Sequence, residues 1–407
     1  MWPRIALLFF PALAMAAQTV QQLDASARQH LAARDASAAL ADYQQLARMV
    51  PNSAVYQDQI GFLLAATNRQ AESISYFQRA TELDPKMAQA WFHLGVALRI
   101  AQRTDPAIQA LQKAVALAPD HADYRFRLGS VYEDVGHDRE AAVELSKAAR
   151  QLPANAAVWE ALAEAYRRQK RYGEARDAYR RALELDPKNN TVRNSYGNSL
   201  VNSGDPSGGL REFQKILREE PGNVHVQVNV GYAYIAAGQL QAAIQQLSKV
   251  AHDHPESASA HYDLGVAYKK ADDLPHARTE LEQAVKLEPT LAPAHYTLGV
   301  TYVDSGDPDK AVEQLRAAVR SDPQYIDAWY ELGTLLKEQG DNDGAIEALR
   351  HSVSLDGTDA GAWNNLGLLL RKKGDAEGAK QAFDKAAEIR KAEEQAKEKK
   401  LGQDRER

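Results

Sequence analysis

Residues that could carry out chemistry are few in this chain, and their spacing matches no common catalytic motif. The 407 residues include no cysteine, which excludes thiolate nucleophiles and cysteine-bound zinc. A phosphate loop of the form G-x-x-x-x-G-K, the zinc motif H-E-x-x-H and the nucleophile turn G-x-S-x-G are all missing. One H-x-H pair, His252 and His254, stands just before Pro255, without the additional ligands that a metal site needs. We therefore predict no catalytic residues, no cofactor, no metal site and no enzymatic activity.

The element that must position every other side chain is a repeat that runs through nearly the whole chain. Nine prolines follow one another at intervals of 34 residues: Pro51, Pro85, Pro119, Pro153, Pro187, Pro221, Pro255, Pro289 and Pro323. A fixed period of this length is typical of one supersecondary unit stacked many times. We expect one elongated array, with no interval left for a separate catalytic domain.

Apolar residues within the period fall at helical spacing. With each proline taken as position 32, large residues occupy positions 4, 7, 11 and 24, and small residues such as Gly95 and Ala107 occupy positions 8 and 20. Positions 4, 7, 8 and 11 share one face of a first helix, while positions 20, 24 and 27 form a stripe on a second helix. The small residues let the two backbones approach closely, and only a stack of such pairs buries all the apolar faces.

These patterns resemble the tetratricopeptide repeat family. The segments AWFHLGVAL, AHYDLGVAY and AWYELGTLL match the first helix of that repeat, and EARDAYRRALELDP matches the second. The resemblance covers about eleven repeats in residues 20–393, of which the first is degenerate because Ser26 and Ala27 replace the Leu-Gly pair. It implies an all-α fold: a right-handed superhelical solenoid of stacked 34-residue helix-turn-helix repeats.

The N-terminus has the features of a bacterial secretory signal peptide. One arginine precedes an apolar run from Ile5 to about Ala14, and Ala14 and Ala16 form an A-x-A cleavage site. We predict that residues 1–17 are removed on export, which would leave a periplasmic or secreted chain without an integral membrane span. The alternative is an uncleaved N-terminal membrane anchor, although the run is short for a membrane span.

Charged residues are distributed along the whole chain. The formal net charge is −6, and acidic and basic residues alternate on the predicted helices, so no basic surface for nucleic acid is expected. Residues 394–407 are almost wholly charged, and we predict that they continue the last helix as a solvated tail. The sequence indicates no particular oligomeric state.

The resemblance also implies which residues line a binding groove, because the concave face of the family is formed mainly by first-helix positions 2, 5, 6, 9, 12 and 13. Position 5 is aromatic in five repeats, where the rings could stack on side chains of a partner: Phe92, Phe126, Tyr262, Tyr296 and Tyr330. Arg127 occupies position 6. Tyrosine is common at position 5 throughout the family, so simple packing is the alternative.

An asparagine cluster is the second candidate within this groove. Asn194, Asn198 and Asn202 are spaced i, i+4, i+8 in the sixth repeat, so they project from one face of a helix. Asn229 and Tyr232 follow at positions 6 and 9 of the seventh repeat. Amide side chains both donate and accept hydrogen bonds, which suggests a clasp for a peptide backbone. Asparagine is also frequent in grooves of this family, so a structural role is the alternative.

The function that these features favour is a non-enzymatic scaffold or assembly factor of the cell envelope, with a protein or an extended peptide bound in the groove. One alternative is an arm that presents substrates to a separate enzyme, such as a glycosyltransferase. Another is a module that binds glycan or cell wall through the groove tyrosines. The Lys-Asn-Arg set of the family's chaperone-binding members is missing from any three successive repeats, which argues against a clamp for a C-terminal carboxylate.

Overall fold

A computed structural model describes residues 9–405, with side chains for residues 19–398. The described residues form 22 α-helices and no strand, so the predicted all-α fold is confirmed. The predicted signal peptide, residues 1–17, lies outside the described side chains, and its first eight residues lie outside the described residues altogether. None of the described helices is long and apolar enough to cross a membrane.

The chain divides into two compact units, residues 1–203 and residues 204–407. The helices of the first unit alternate between first and second helices of successive repeats. They are α1 (Phe9–Ala32), α2 (Ala36–Met49), α3 (Ala54–Ala66), α4 (Gln70–Leu83), α5 (Ala88–Ile100), α6 (Thr104–Leu117), α7 (Ala122–Asp134), α8 (Asp138–Gln151), α9 (Ala156–Arg168), α10 (Tyr172–Leu185) and α11 (Asn190–Asn202).

The second unit continues the same alternation from the second helix of the sixth repeat. Its helices are α12 (Pro206–Glu219), α13 (Val224–Ala236), α14 (Leu240–Asp253), α15 (Ala258–Lys270), α16 (Leu274–Leu287), α17 (Ala292–Asp304), α18 (Pro308–Ser321), α19 (Ile326–Gln339), α20 (Asn342–Leu355), α21 (Ala360–Lys373) and α22 (Ala376–Arg405). The last helix therefore extends through most of the charged C-terminal segment.

The small residues at position 8 set the distance between the two helices of a repeat. In the fourth repeat, a Cβ atom built on Gly129 would lie 2.6 Å from Cγ of Leu145, the residue at position 24 of the partner helix. Contacts between carbon atoms are favourable only near 3.5–4.0 Å. The glycine is therefore required by the approach of the second helix, as the spacing of small and large residues predicted.

Every repeat turns between its two helices through one residue with a left-handed backbone. Six of these turn residues are glycines, such as Gly340 with φ 84°, where the missing Cβ makes the conformation cheap. The other five are Arg34, Asn68, Gln102, Lys170 and Asp272, with φ between 57° and 65°. Since non-glycine residues adopt this conformation at a cost of free energy, the stacking of the two helices must impose the turn.

Candidate peptide-binding groove

Two adjoining cavities open between successive first helices of the first unit, and together we call them the first-unit cleft. The cavity between α3 and α5 has a volume of about 270 Å³, and the cavity between α5 and α7 has a volume of about 450 Å³. Phe92, His93 and Arg127 line both cavities. The two therefore form one continuous cleft, which contains three predicted groove residues, Phe92, Phe126 and Arg127.

The walls of the α3–α5 cavity are mostly apolar. Phe62, Phe77, Val96 and Ile100 line it together with alanines of α3 and α5. Two of these side chains are unusually accessible for their type, because Phe62 is 46% exposed and Ile100 is 53% exposed. Large apolar side chains that gather at an accessible cavity are typical of interaction sites.

The imidazole of His93, held by a buried carboxylate, supplies polar atoms to the lining of this cavity, and we call it the polar floor. Oδ1 of Asp58 lies 2.8 Å from Nδ1 of His93, and the Asp58 side chain is completely buried. The other carboxylate oxygen, Oδ2, has no hydrogen-bond partner. The His93 ring lies 5.5 Å from the Phe62 ring and 5.4 Å from the Phe77 ring, centroid to centroid. Asp58 thus holds the imidazole in place at the bottom of the apolar cavity.

Aromatic stacking and one arginine shape the α5–α7 cavity. The ring of Phe92 stacks on Tyr124 with centroids 4.5 Å apart, and His121 stacks on the same tyrosine at 3.8 Å. The guanidinium of Arg127 lies 5.7 Å from the centroid of Phe126, within the range of a cation–π interaction. Arg127 is exposed and forms no ion pair within the part of the chain that the structure describes.

Further along the first unit, Glu164 organises a dense charge network. It accepts hydrogen bonds from Arg167, from Arg168 at 3.0 Å and from the Tyr179 hydroxyl at 2.8 Å. These hydrogen bonds, that of Arg167 above all, lower the pKa of Glu164 to about 2. Burial instead raises the pKa of Glu133 to about 7. The charge of Glu164 is therefore satisfied by its neighbours, whereas Glu133 is costly to ionise.

The predicted asparagine cluster lies on separate helices of the two units. Asn194, Asn198 and Asn202 follow one face of α11, and all three are at least partly exposed. Nδ2 of Asn202 donates to the carbonyl oxygen of Asn198 at 2.8 Å, so part of the amide is engaged by its own helix. Asn229 and Tyr232 lie on α13 of the second unit, and they too are partly exposed. A role for these five residues in binding stays a prediction.

Tyrosines of the second unit lie where successive first helices meet. Tyr296 meets Tyr325 edge to face with centroids 5.1 Å apart, and burial raises the pKa of Tyr296 to about 12. The hydroxyl of Tyr330 lies close to Gly361 of α21, 3.6 Å from the position that a Cβ atom on this glycine would take. Tyr262 lies on α15, where burial raises the pKa of its hydroxyl group. These rings are half-buried, so they both support the stack and contribute to its surface.

Asp263, next to Tyr262 on α15, was not predicted as a site residue. Burial raises the pKa of its carboxyl group to about 7. It accepts no hydrogen bond and forms no ion pair among residues 19–398. Carboxyl groups with strongly shifted pKa values concentrate at functional sites, although carboxyl groups with a structural role can have shifted pKa values too.

The pair formed by Asp58 and His93 was also missed, and its signal was present in the sequence. Asp58 occupies position 5, where the next two repeats have Phe92 and Phe126, and His93 occupies position 6 of the next repeat. The two residues are 35 apart, which is one repeat plus one residue. The ion pairs Arg99–Asp134 and Lys269–Asp304 bridge successive repeats at the same separation.

Metal binding has no geometric support in the described residues, where no three histidine, aspartate or glutamate side chains converge. Nδ1 of His254 lies 3.6 Å from a carboxylate oxygen of Glu256, and His252 is exposed. The cleft instead offers apolar walls, an oriented imidazole and a guanidinium without an acidic partner in the described chain, a combination that can bind a ligand.

Comparisons with known proteins agree on the repeat. A model of the TPR domain of cytochrome c-type biogenesis protein H matches residues 141–261. Tetratricopeptide repeat models match residues 61–122, 296–360 and 332–394, and a further one matches residues 234–299. Together the matches cover residues 61–122 and 141–394, which is well over half of the chain. No curated protein matches.

Several solved structures are similar to this chain. The crystal structure of MamA is 28% identical, covers 41% of this chain and 97% of its own, and gives a TM-score of 0.39. YrrB, described as a TPR protein with an unusual peptide-binding site, is 24% identical and covers 44% of this chain and 91% of its own, with a TM-score of 0.39. A human IFIT1 dimer with PPP-AAAA is 16% identical and covers 83% of this chain and 91% of its own, with a TM-score of 0.45.

Proposed function

Because this chain belongs to the tetratricopeptide repeat family, whose repeats form protein-interaction scaffolds, we propose that it is a non-enzymatic scaffold or assembly factor of the bacterial cell envelope. In this proposal, an extended segment of a partner protein lies across the first helices. The observation that supports it best is the first-unit cleft, where accessible apolar walls adjoin an arginine without an acidic partner in the described chain.

Two features support a place in the envelope. The apolar run that ends in A-x-A at Ala14 and Ala16 is typical of exported proteins. The family model that matches residues 141–261 is named for cytochrome c-type biogenesis protein H, which favours a part in assembling other proteins. Export is expected to remove the first 16 or 17 residues.

Export gives the first testable prediction. The mature protein, isolated from the envelope or the medium of its own cells, should begin at Ala17 or Gln18, because signal peptidase cuts after small residues. N-terminal sequencing measures this directly. Recovery of the chain with Met1 intact would contradict cleavage and would favour the anchored form.

Binding through the cleft gives the second testable prediction. A photo-crosslinking amino acid is placed at Ile100, in the wall of the α3–α5 cavity, and in a second protein at Val143 of α8, outside the cleft. The two side chains are equally exposed, at 53%, so accessibility alone predicts equal labelling. We expect position 100 to form defined adducts with a protein in intact cells and position 143 to form far fewer, as judged by gel shift and mass spectrometry. Equal labelling at both positions would contradict a binding role for the cleft, and adducts with glycan alone would favour the cell-wall alternative.

A further inference from the structure

We propose that the first-unit cleft selects a peptide segment with one large apolar side chain and a carboxylate within a few residues of it. The apolar side chain would fill the α3–α5 cavity, and the carboxylate would pair with Arg127. This inference rests on the proposed function and adds the chemistry of the partner. It follows from the apolar lining of one half of the cleft and from the exposed guanidinium of Arg127 beside it.

The α3–α5 cavity favours a large apolar side chain over water. Its volume of about 270 Å³ would hold several water molecules at roughly 30 Å³ each, but most of its walls offer them no hydrogen bond. Phe62, Phe77, Val96 and Ile100 instead present carbon surface from three helices. An aromatic side chain buries about 150–250 Å² in such a site, and this burial is the main source of affinity.

The polar floor of this cavity orients the occupant rather than repelling it. Nδ1 of His93 is held by Asp58 at 2.8 Å, so the other ring nitrogen, Nε2, is the one left to meet a ligand. Oε1 of Gln70, which also lines the cavity, is buried without a hydrogen-bond partner. Two polar groups beside apolar walls suit the backbone of a peptide, whose N–H groups can donate to them.

The charge of Arg127 determines which residue the peptide should carry near its apolar side chain. Other arginines near the cleft are paired, as Arg125 is with Glu144 at 2.5 Å and Arg99 with Asp134 at 2.7 Å. The Arg127 guanidinium instead lies 5.7 Å from the centroid of Phe126 and has no acidic partner in the described chain, even though Asp123 lines the same cavity. An exposed guanidinium without an acidic partner is available for a bidentate bond to a carboxylate.

Both requirements apply to one ligand, because the same residues border both cavities. Phe92, His93 and Arg127 line both the apolar cavity and its neighbour. An extended chain advances about 3.3 Å per residue, so an apolar side chain and a carboxylate a few residues apart can reach the two cavities together. A lone apolar side chain, or an acidic segment without one, would occupy only half of the cleft.

The test compares peptides selected by the full-length protein and by two charge-reversal variants. A phage library of random nonapeptides is panned on wild type, on Arg127→Glu and on Arg139→Glu, an exposed position of α8 away from the cleft. Wild type and Arg139→Glu should enrich a large apolar residue with Asp or Glu within about three positions. Arg127→Glu should keep the apolar preference and exchange the acid for Lys or Arg. An unchanged acidic preference in Arg127→Glu would overturn the role of Arg127.

A second measurement tests the apolar half. A fluorescein-labelled peptide from the wild-type selection is titrated by anisotropy against Ile100→Asp and Val143→Asp, which change equally exposed positions. We expect at least a tenfold loss of affinity for Ile100→Asp and less than a twofold change for Val143→Asp. Equal effects, or selected peptides without an apolar residue, would overturn the proposed specificity. If crosslinks from position 100 persist in that case, the proposed function stands and only the partner chemistry is wrong.

Discussion

Replacing His93 by alanine is expected to lower the free energy of unfolding of the first unit by about 3–5 kcal/mol, the largest single effect that we predict. His93 provides the only hydrogen bond to Asp58 among the described residues, and Asp58 has no exposed surface. Without the imidazole, a buried carboxylate would remain with neither oxygen paired. Losing one partner of a buried pair costs much more than losing both, because the unpaired group stays away from water.

The double variant Asp58→Leu/His93→Phe separates this explanation from a simple loss of packing. It removes both polar groups while filling the space among Phe62, Phe77 and Phe92, so its stability should return to within about 1.5 kcal/mol of wild type. Exposed His137 provides a control, since His137→Ala should change stability by no more than about 0.5 kcal/mol. Urea denaturation, followed by circular dichroism, measures the stability of His93→Ala, of the double variant and of His137→Ala. A double variant as unstable as His93→Ala would show that packing, and not the unpaired carboxylate, dominates.

The fold could be predicted from the sequence because its main constraint repeats. Each position-8 residue must admit the second helix at close range, as Gly129 admits Leu145, and this requirement recurs every 34 residues. The turns were only partly predictable. At Gly306 and Gly340 the glycine itself indicates a left-handed turn. Gln102 and Lys170 adopt the same conformation although their residue types do not predict it, because the packed helices on either side impose it.

The candidate site was predictable only where a family position identifies it. Phe92, Phe126 and Arg127 were predicted from their positions in the repeat, and all three line the first-unit cleft, while their role in binding stays a prediction. The pairing of Asp58 with His93 was missed because it depends on how successive first helices stack. A rule that pairs residues 35 apart would have found it, and would also have found the ion pair between Lys269 and Asp304.

Burial effects were beyond sequence reasoning, and Asp263 is the clearest case. An aspartate at position 6 looks like any other solvated acid in the sequence. In the structure, burial raises the pKa of its carboxyl group from 3.8 to about 7, and no cation among the described residues opposes this shift. A carboxyl group that is costly to ionise in the folded chain weakens the fold near neutral pH, and such costs are expected at sites kept for function.

Asp263→Asn is therefore expected to stabilise the second unit at pH 8 by about 3–4 kcal/mol. A shift of about three pKa units, from 3.8 to about 7, corresponds to roughly 4 kcal/mol. The folded state binds the proton more tightly than the unfolded state does, so stability falls as pH rises from about 4 to about 7 and then levels off. Asparagine has no such titration.

Urea midpoints of wild type and Asp263→Asn, measured at several values between pH 4 and pH 8, provide the comparison. The two proteins should be about equally stable at pH 4, because the carboxyl group is then protonated in the folded chain and its ionisation is only beginning in the unfolded one. The difference should grow up to about pH 7 and then stay constant. Asp384→Asn, at an exposed position of α22, should follow the wild-type profile. A constant difference between wild type and Asp263→Asn across the whole range would mean that the carboxyl group titrates normally, and that the substitution acts through packing alone.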